Sequence, residues 1–121
     1  MNLFGPVTNT ECAGWQRRAA RGLVELLDAA AKADLPVLTW QVSSTRPLVG
    51  RCLNLDMPAR QRAFQRWCDF LGEVDQWPAH GGHGTTHLHA TRRRWGRERV
   101  DVTVLADIHA DDSPDADTDE A

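Results

Sequence analysis

The chain has 121 residues, which is enough for one domain with its own hydrophobic core. Hydrophobic residues make up 41% of it and charged residues 26%, and no run approaches the roughly 18 apolar residues that would indicate a membrane span. Because no basic region leads into an apolar one at the N-terminus, no signal peptide is indicated either. We therefore expect a soluble cytoplasmic protein with no membrane partner.

Charge is distributed unevenly behind the formal net charge of −3. Residues 107–121 contain seven acids and neither lysine nor arginine, whereas residues 1–106 contain fourteen bases and ten acids. The body is therefore mildly basic and the tail strongly acidic. Thirteen of the fourteen bases are arginine, a bias that a GC-rich genome explains more simply than phosphate recognition does.

The three cysteines, Cys12, Cys52 and Cys68, stand far apart and include no Cys-x-x-Cys pair. An odd number at this spacing is typical of reduced packing thiols rather than of a disulfide framework or a zinc ribbon. The sequence also lacks a G-x-S-x-G motif, a P-loop and a G-x-G-x-x-G motif. Little in it supports enzyme chemistry.

The first predicted element is a helix that begins at a capping box. Thr8 and Glu11 have the spacing in which a threonine hydroxyl accepts one backbone amide and a glutamate reaches back to another. The helix extends to about Ala33, and Leu35-Pro36 ends it. One apolar stripe predicts its buried face: Trp15, Ala19, Leu23, Leu26, Leu27 and Ala30.

A hairpin and a second helix are expected next. Residues 37–42 alternate as a strand with Leu38, Trp40 and Val42 inward, and after a turn residues 48–55 form a strand with Val49, Leu53 and Leu55 inward. Asp56 is then a good N-cap for a helix over residues 57–71, which Gly72 ends. Its predicted buried face is Phe64, Trp67, Cys68 and Leu71. We expect residues 73–84 to form a loop.

A second hairpin follows, and its register decides what its histidines face. Val100, Val102, Val104 and Ala106 alternate with polar residues, as in a half-buried strand. A two-residue loop at Gly96 would place His87 and His89 beside the valines. A three-residue loop over residues 96–98 would instead place Leu88 and Ala90 there, with His87 opposite Asp107 and Arg93 opposite Asp101. We favour the second register because it buries no imidazole against valine.

The order helix, hairpin, helix, hairpin predicts an α+β fold with a four-stranded antiparallel sheet and both helices on one face. We expect an irregular lead-in over residues 1–9, a single domain over residues 10–110 and a disordered acidic tail over residues 111–121. The other sheet face would be open and polar. Its expected residues are Thr39, Gln41, Cys52, Asn54, His87, His89, Thr91, Arg93, Asp101 and Thr103.

Two short motifs carry a resemblance to known proteins. The segments Leu35-Pro-Val-Leu-Thr-Trp40 and Gly84-Thr-Thr-His-Leu-His-Ala90 resemble small proteins of GC-rich actinobacteria and of their phages or integrated elements. The resemblance covers residues 10–108. It implies an actinobacterial host and a mobile-element setting. No activity is attached to those proteins, so the resemblance implies no catalytic residue.

The tip of the second hairpin is the main candidate binding site. Its arginines suit phosphate groups or acidic proteins, and its tryptophan suits base stacking or an interface anchor. The candidate residues are Arg92, Arg93, Arg94, Trp95, Arg97 and Arg99. We therefore expect a non-enzymatic binding module that engages a protein or a nucleic acid through this tip and the open face. A second copy of the chain is one such partner, because its acidic tail would complement the tip.

The alternative is a zinc site on the open face. His87 and His89 point to the same side of a strand, and in the favoured register Asp107 and His109 join them there. Such a set would hold zinc with or without an open position for a hydrolytic water. His80 and His83 are alternative ligands, and a Cys52–His87 nucleophile pair across the face is a further arrangement. Without metal, the histidines are solvated or hydrogen-bonded side chains and no cofactor is expected.

Overall fold

The computed structural model of the chain describes residues 8–43, 47–53, 56–80 and 84–109, with the backbone alone for 77–80. Two helices and five strands lie within these ranges. They are α1 (Asn9–Lys32), β1 (Thr39–Gln41), β2 (Leu48–Arg51), α2 (Met57–Leu71), β3 (Asp75–His80), β4 (Thr85–Trp95) and β5 (Val100–His109). Neither helix is long and apolar enough to cross a membrane. The predicted lead-in up to residue 7, the turn at 44–46 and the acidic tail from 110 lie outside the described residues.

The start of α1 confirms the predicted capping box. The backbone N–H of Glu11 donates to the Thr8 hydroxyl over 3.1 Å, and the Thr8 N–H donates to the Glu11 carboxylate over 2.9 Å. Two of the amides that a helix start leaves unpaired are thus satisfied. The buried face of α1 consists of Ala19, Gly22, Leu26 and Ala30.

The start and end of α2 are also as predicted. The Asp56 carboxylate accepts the Ala59 N–H over 2.8 Å, and Pro58 lies in the first turn. The helix ends at Gly72, whose φ of 66° is costly for any residue with a Cβ. Its buried face consists of Ala63, Phe64, Trp67, Cys68 and Leu71.

The predicted sheet is wrong in strand number and in type. The observed sheet has five strands in the order β1-β2-β5-β4-β3, and β2 runs parallel to β5 while the other neighbours are antiparallel. The second half of the chain is a three-stranded meander rather than a hairpin. Because its last strand, β5, is the most apolar, it takes the central position and pairs with β2 directly.

The missing strand was β3, which lies in the segment expected to be a loop. Its six residues pair with β4 from Asp75↔Thr91 to His80↔Thr86. The strand contains Pro78, although proline cannot donate to a ladder. β3 is however an edge strand, where one side of the backbone needs no partner and proline is tolerated.

The inward side of β2 is the opposite of the predicted one. Leu48 is 0% exposed and Gly50 is buried, whereas Val49 lies on the open face and Leu53 is 52% exposed. The reason is steric. The Trp40 ring lies over Gly50 so closely that a Cβ there would stand 2.7 Å from it. A glycine, not a large apolar residue, therefore occupies the inner position.

The favoured register of the second hairpin is confirmed over residues 85–92. His87 lies opposite Asp107 and Ala90 opposite Val104. The turn itself differs from the prediction. Trp95 pairs with Val100, so the loop has four residues, 96–99, and a β-bulge at residues 93 and 94 breaks the ladder. Arg93 therefore has no direct cross-strand pairing with Asp101.

Both helices cover the sheet face that carries the valines of β5. Gly22 of α1 stands against Val100, and Trp67 of α2 packs edge-on against Trp40 at 5.4 Å between ring centroids. The Trp67 indole N–H donates to the Pro36 carbonyl over 2.9 Å, which satisfies its polar atom. The result is a two-layer arrangement with one covered and one open sheet face.

Two glycines of α1 give a matched test of this packing. A Cβ at Gly22 would lie 2.9 Å from a Val100 methyl carbon, whereas a Cβ at Gly14 would meet no atom within 4 Å. Alanine raises helix propensity at both positions by about 1 kcal/mol. We expect Gly14→Ala to raise the free energy of unfolding and Gly22→Ala to lower it by about 1–2 kcal/mol through overpacking. Urea denaturation measures both, and equal gains would contradict the observed contact.

Candidate functional site

The hairpin tip does not project as a free finger but lies on α1. The Arg97 N–H donates to the Glu25 carboxylate over 3.0 Å, and the Arg21 and Glu98 side chains form an ion pair at 3.3 Å. A Cβ at Gly96 would stand 2.9 Å from the same Glu25 carboxylate. The turn is therefore fixed on the helix, and the exposed arginines next to it have defined positions.

Two of the predicted partner-binding residues, Arg92 and Trp95, contact other parts of the fold. The Arg92 guanidinium points to the helix side of the sheet and donates to the carbonyls of Leu71 and Gly72 at the end of α2. It thus satisfies carbonyls that the helix end leaves unpaired. Trp95 packs on the core, with its ring centroid 6.4 Å from that of Phe70. Both side chains therefore have contacts within the described fold, and their role toward a partner stays a prediction.

Three other tip arginines, Arg93, Arg94 and Arg99, line a concave site together with residues of α1. Its volume is about 280 Å³ and it lies at the end of the sheet nearest the turn. We call it the arginine cleft, and it is lined by Trp15, Arg18, Arg93, Arg94, Arg99 and Asp101. Four cationic side chains and one carboxylate therefore face the same space.

The backbone of the cleft is held in an unusual conformation. Arg94 and Arg99 have φ values of 54° and 55°, in the left-handed region that glycine and asparagine adopt more easily. The Asp101 carboxylate accepts the Arg94 N–H over 3.1 Å, and the Gly96 carbonyl accepts the Arg99 N–H over 3.2 Å. Backbone strain of this kind is concentrated at functional sites in proteins. Both strained residues carry side chains that line the cleft.

The charges of the cleft are only partly neutralised by the residues that the structure describes. Arg93 is 76% exposed and reaches the Asp75 carboxylate only at 3.9 Å. The guanidinium groups of Arg94 and Arg99 make no hydrogen bond or ion pair with any residue that the structure describes. Arg18 stacks on the Trp15 ring at 5.0 Å, which fixes its direction without reducing its charge. The cleft therefore keeps a positive field that favours an anion.

A shallow groove on the open sheet face continues from the cleft. Arg93 and Asp101 line both. We call it the open-face groove, and its other lining residues are Pro47, Val49, Arg51, His89, Thr91, Thr103 and Leu105. The Thr91 and Thr103 hydroxyls are hydrogen-bonded at 2.8 Å and form the floor between β4 and β5. Partial burial lowers the pKa of His89 below its usual value, so its ring is neutral at pH 7.

The four histidine and aspartate residues of the zinc hypothesis do not form one ligand group. His87 Nδ1 lies 2.6 Å from the Asp107 carboxylate, but His109 Nδ1 lies 2.9 Å from the Thr85 hydroxyl instead. Over residues 8–43, 47–53, 56–76 and 84–109, no three His, Cys, Asp or Glu side chains are placed to hold a metal ion, and the His80 side chain lies outside this description. The alternative ligand His83 lies outside these ranges.

The expected position of Cys52 on the open face is wrong. Its side chain is 2% exposed on the helix side, and its N–H donates to the Leu105 carbonyl over 3.0 Å. Burial raises the pKa of the Cys52 and Cys68 thiols to about 11. Both are therefore protonated and poor nucleophiles at neutral pH, and the Cys52–His87 pair does not form.

Sequence reasoning missed the part of the cleft that α1 supplies. Trp15 was interpreted as a core anchor, and it does pack against the core, whereas Arg18 was placed only away from the apolar stripe. Their spacing of three residues places them side by side on a helix, which is the signal that was available. What the sequence does not contain is the docking of the turn onto α1, which brings Arg18 to the same site as Arg99.

Comparison with known proteins identifies no relative: no family model, no curated protein and no solved structure matches this chain.

Adjacent arginines with opposite roles give a first test of this geometry. Arg92→Gln removes the charge-assisted hydrogen bonds to the end of α2 and should lower the free energy of unfolding by about 1–3 kcal/mol. Arg93→Gln removes only a long, exposed ion pair and should change it by less than about 0.5 kcal/mol. Urea denaturation of both variants measures this difference. Equal effects would show that Arg92 does not cap the helix.

The thiols give a second test. We expect an aromatic disulfide reagent to modify Cys12, which is partly exposed, in the native protein at pH 8. Cys52 and Cys68 should react only as the chain unfolds, because both are buried and protonated. Absorbance at increasing urea concentration counts the reactive thiols. Rapid native reaction of all three would contradict the burial of the pair, and Cys12→Ser is the control.

Proposed function

We propose that this protein is a non-enzymatic module that binds an anionic partner, a protein or a nucleic acid, in the arginine cleft. The observation that carries this proposal is the convergence of Arg18, Arg93, Arg94 and Arg99 on one concave site with a single acid, Asp101. Guanidinium groups hold carboxylates and phosphates through paired hydrogen bonds, and four of them exceed what the local acid can neutralise.

The conformation of the cleft supports binding as its role. Positive φ at Arg94 and Arg99 costs free energy that a glycine would avoid, and neither guanidinium compensates for this through a described hydrogen bond. Both backbones are held in place by hydrogen bonds of their N–H groups, so the two side chains have fixed starting points at the cleft. An anion placed between the two side chains would supply the missing contact.

Binding agrees better than catalysis with the other groups described. The two buried thiols are protonated, and no third metal ligand joins the His87–Asp107 pair among the described residues. The tryptophan and arginine side chains of the cleft are those enriched in interface anchors. We place this binding in the cytoplasm, where the three free thiols would stay reduced. A second copy of the chain remains a candidate partner through its acidic residues after 106.

The proposal is tested with two anionic probes of matched charge. One is a labelled oligodeoxythymidine of about eight nucleotides, with about seven phosphates. The other is a labelled peptide with the sequence of residues 107–121, which contains seven acids. In fluorescence anisotropy at about 50 mM salt, Arg93→Gln/Arg94→Gln/Arg99→Gln should raise the dissociation constant of the bound probe about 10- to 100-fold.

The matched control removes three charges elsewhere. Arg17, Lys32 and Arg62 are exposed and do not line the cleft, so Arg17→Gln/Lys32→Gln/Arg62→Gln should change the dissociation constant less than about threefold. Equal weakening by the two triple variants would mean that overall charge and not the cleft binds the anion. Urea denaturation of both variants shows whether they remain folded.

A further inference from the structure

We infer that the anionic partner is a single-stranded nucleic acid that runs from the arginine cleft across the open-face groove to Arg51. This inference rests on the proposed function and specifies its ligand. It follows from three features of the open face: the spacing of its arginines, the groups between them and the pairing of the strands beneath.

The arginines lie at two ends of one continuous surface. Arg93 belongs to both the cleft and the groove, and Arg51 lines the far part of the groove on β2. Arg51 lies beside Leu105, four residues along β5 from Asp101, and two strand spacings separate β2 from β4. The backbone positions of Arg93 and Arg51 are therefore roughly 17 Å apart. A single phosphate would contact only one end, whereas a chain of regularly spaced phosphates would contact both.

The surface between the two ends suits nucleobases. Val49 and Leu105 offer apolar contact, and the His89 ring is planar. Because burial lowers the pKa of His89, its imidazole is uncharged at pH 7. Covering it with a base therefore does not require a cation to be removed from water. Planar uncharged side chains and apolar contacts are what single-stranded binding surfaces present to bases, while cationic groups hold the backbone.

The same surface is unfavourable for an extended acidic peptide. β5 is hydrogen-bonded to β2 and β4, and β4 is hydrogen-bonded to β5 and β3, so the ladders use the backbone groups of both strands. A peptide lying over this face would find no ladder to join. Each of its backbone groups buried without a partner would cost about 1–3 kcal/mol. The sugar-phosphate backbone of a nucleic acid has no amide groups, and its phosphates would meet arginines.

The shape of the site favours a single strand over a duplex. The hairpin turn is held on α1 by the Arg97–Glu25 and Arg21–Glu98 contacts and is not free to enter a groove. The open-face groove is shallow, and a base reaches its floor at Thr91 and Thr103 only when it is unstacked from its neighbours. In a duplex the bases are stacked and paired, so only phosphates would contact the protein.

The test compares the labelled oligodeoxythymidine with the peptide of residues 107–121 and with a duplex of the same length, using the full chain. We expect the single strand to bind at least about tenfold more tightly than either. Arg51→Gln should weaken single-strand binding about threefold and reduce the slope of log K against log salt by about 0.7, the value for one phosphate contact. Arg62→Gln, an exposed residue of α2, is the control and should leave both unchanged.

The outcomes separate this inference from the proposed function. Peptide binding as tight as single-strand binding, with both dependent on the cleft arginines, would overturn the nucleic-acid assignment and leave the proposed function intact. Duplex binding of equal strength would overturn the single-strand assignment. Single-strand binding that is unaffected by Arg51→Gln would overturn the path across the open face. Binding of both probes that is insensitive to the triple cleft variant would instead reject the proposed function itself.

Discussion

The central position of β5 is the constraint on which the rest of the structure depends. Val100, Val102 and Val104 are each 0% exposed beneath the helices, and the strand is paired on both sides. Because side chains alternate along a strand, this burial fixes the four that face the other way: Asp101, Thr103, Leu105 and Asp107. A slip of one residue would bury two carboxylates and expose the valines. The core thus determines which groups the open face displays.

The β-bulge in β4 follows from the same requirement. Arg92 lies opposite Val102 and Trp95 opposite Val100, so both are on the helix side although they are three positions apart. Residues three apart point to opposite sides of a regular strand, and one extra residue is needed to bring both inward. The extra residue places Arg93 and Arg94 together outside the core. The packing of Trp95 on Phe70 therefore helps to build the cleft.

The elements that could be predicted from the sequence are those set by local chemistry. The capping box at Thr8, the N-cap at Asp56 and the end of α2 at Gly72 each depend on residues within one turn. The register of β4 and β5 could also be predicted, because only one pairing keeps His87 away from the valines. In each case a different helix end or strand register would leave backbone groups unpaired or place polar side chains in the core.

The errors have a common origin in contacts between distant segments. β2 turned its other side inward because the Trp40 ring needs the space above Gly50, and no hydropathy pattern contains that information. The parallel pairing of β2 with β5 depends on which strand takes the sheet centre. Alternation also does not show the β-bulge that turns both Arg92 and Trp95 to the helix side. The sequence did not predict Arg18 as part of the cleft, because Arg18 lies beside Arg99 only when the hairpin turn is docked on α1.

The described acidic side chains around the cleft hold the hairpin turn and do not neutralise all of the arginines. Glu25 and Glu98 both lie next to the tip, yet Glu25 accepts the backbone N–H of Arg97 and Glu98 pairs with Arg21. These acids hold the turn on α1, and among the described residues none pairs with the guanidinium groups of Arg94 and Arg99. Asp101 likewise accepts a backbone N–H within the bulge. Apart from Asp75, which reaches the Arg93 guanidinium at 3.9 Å, these carboxylates hold the turn that presents the arginines, and under our proposal a bound anion would supply the remaining countercharge.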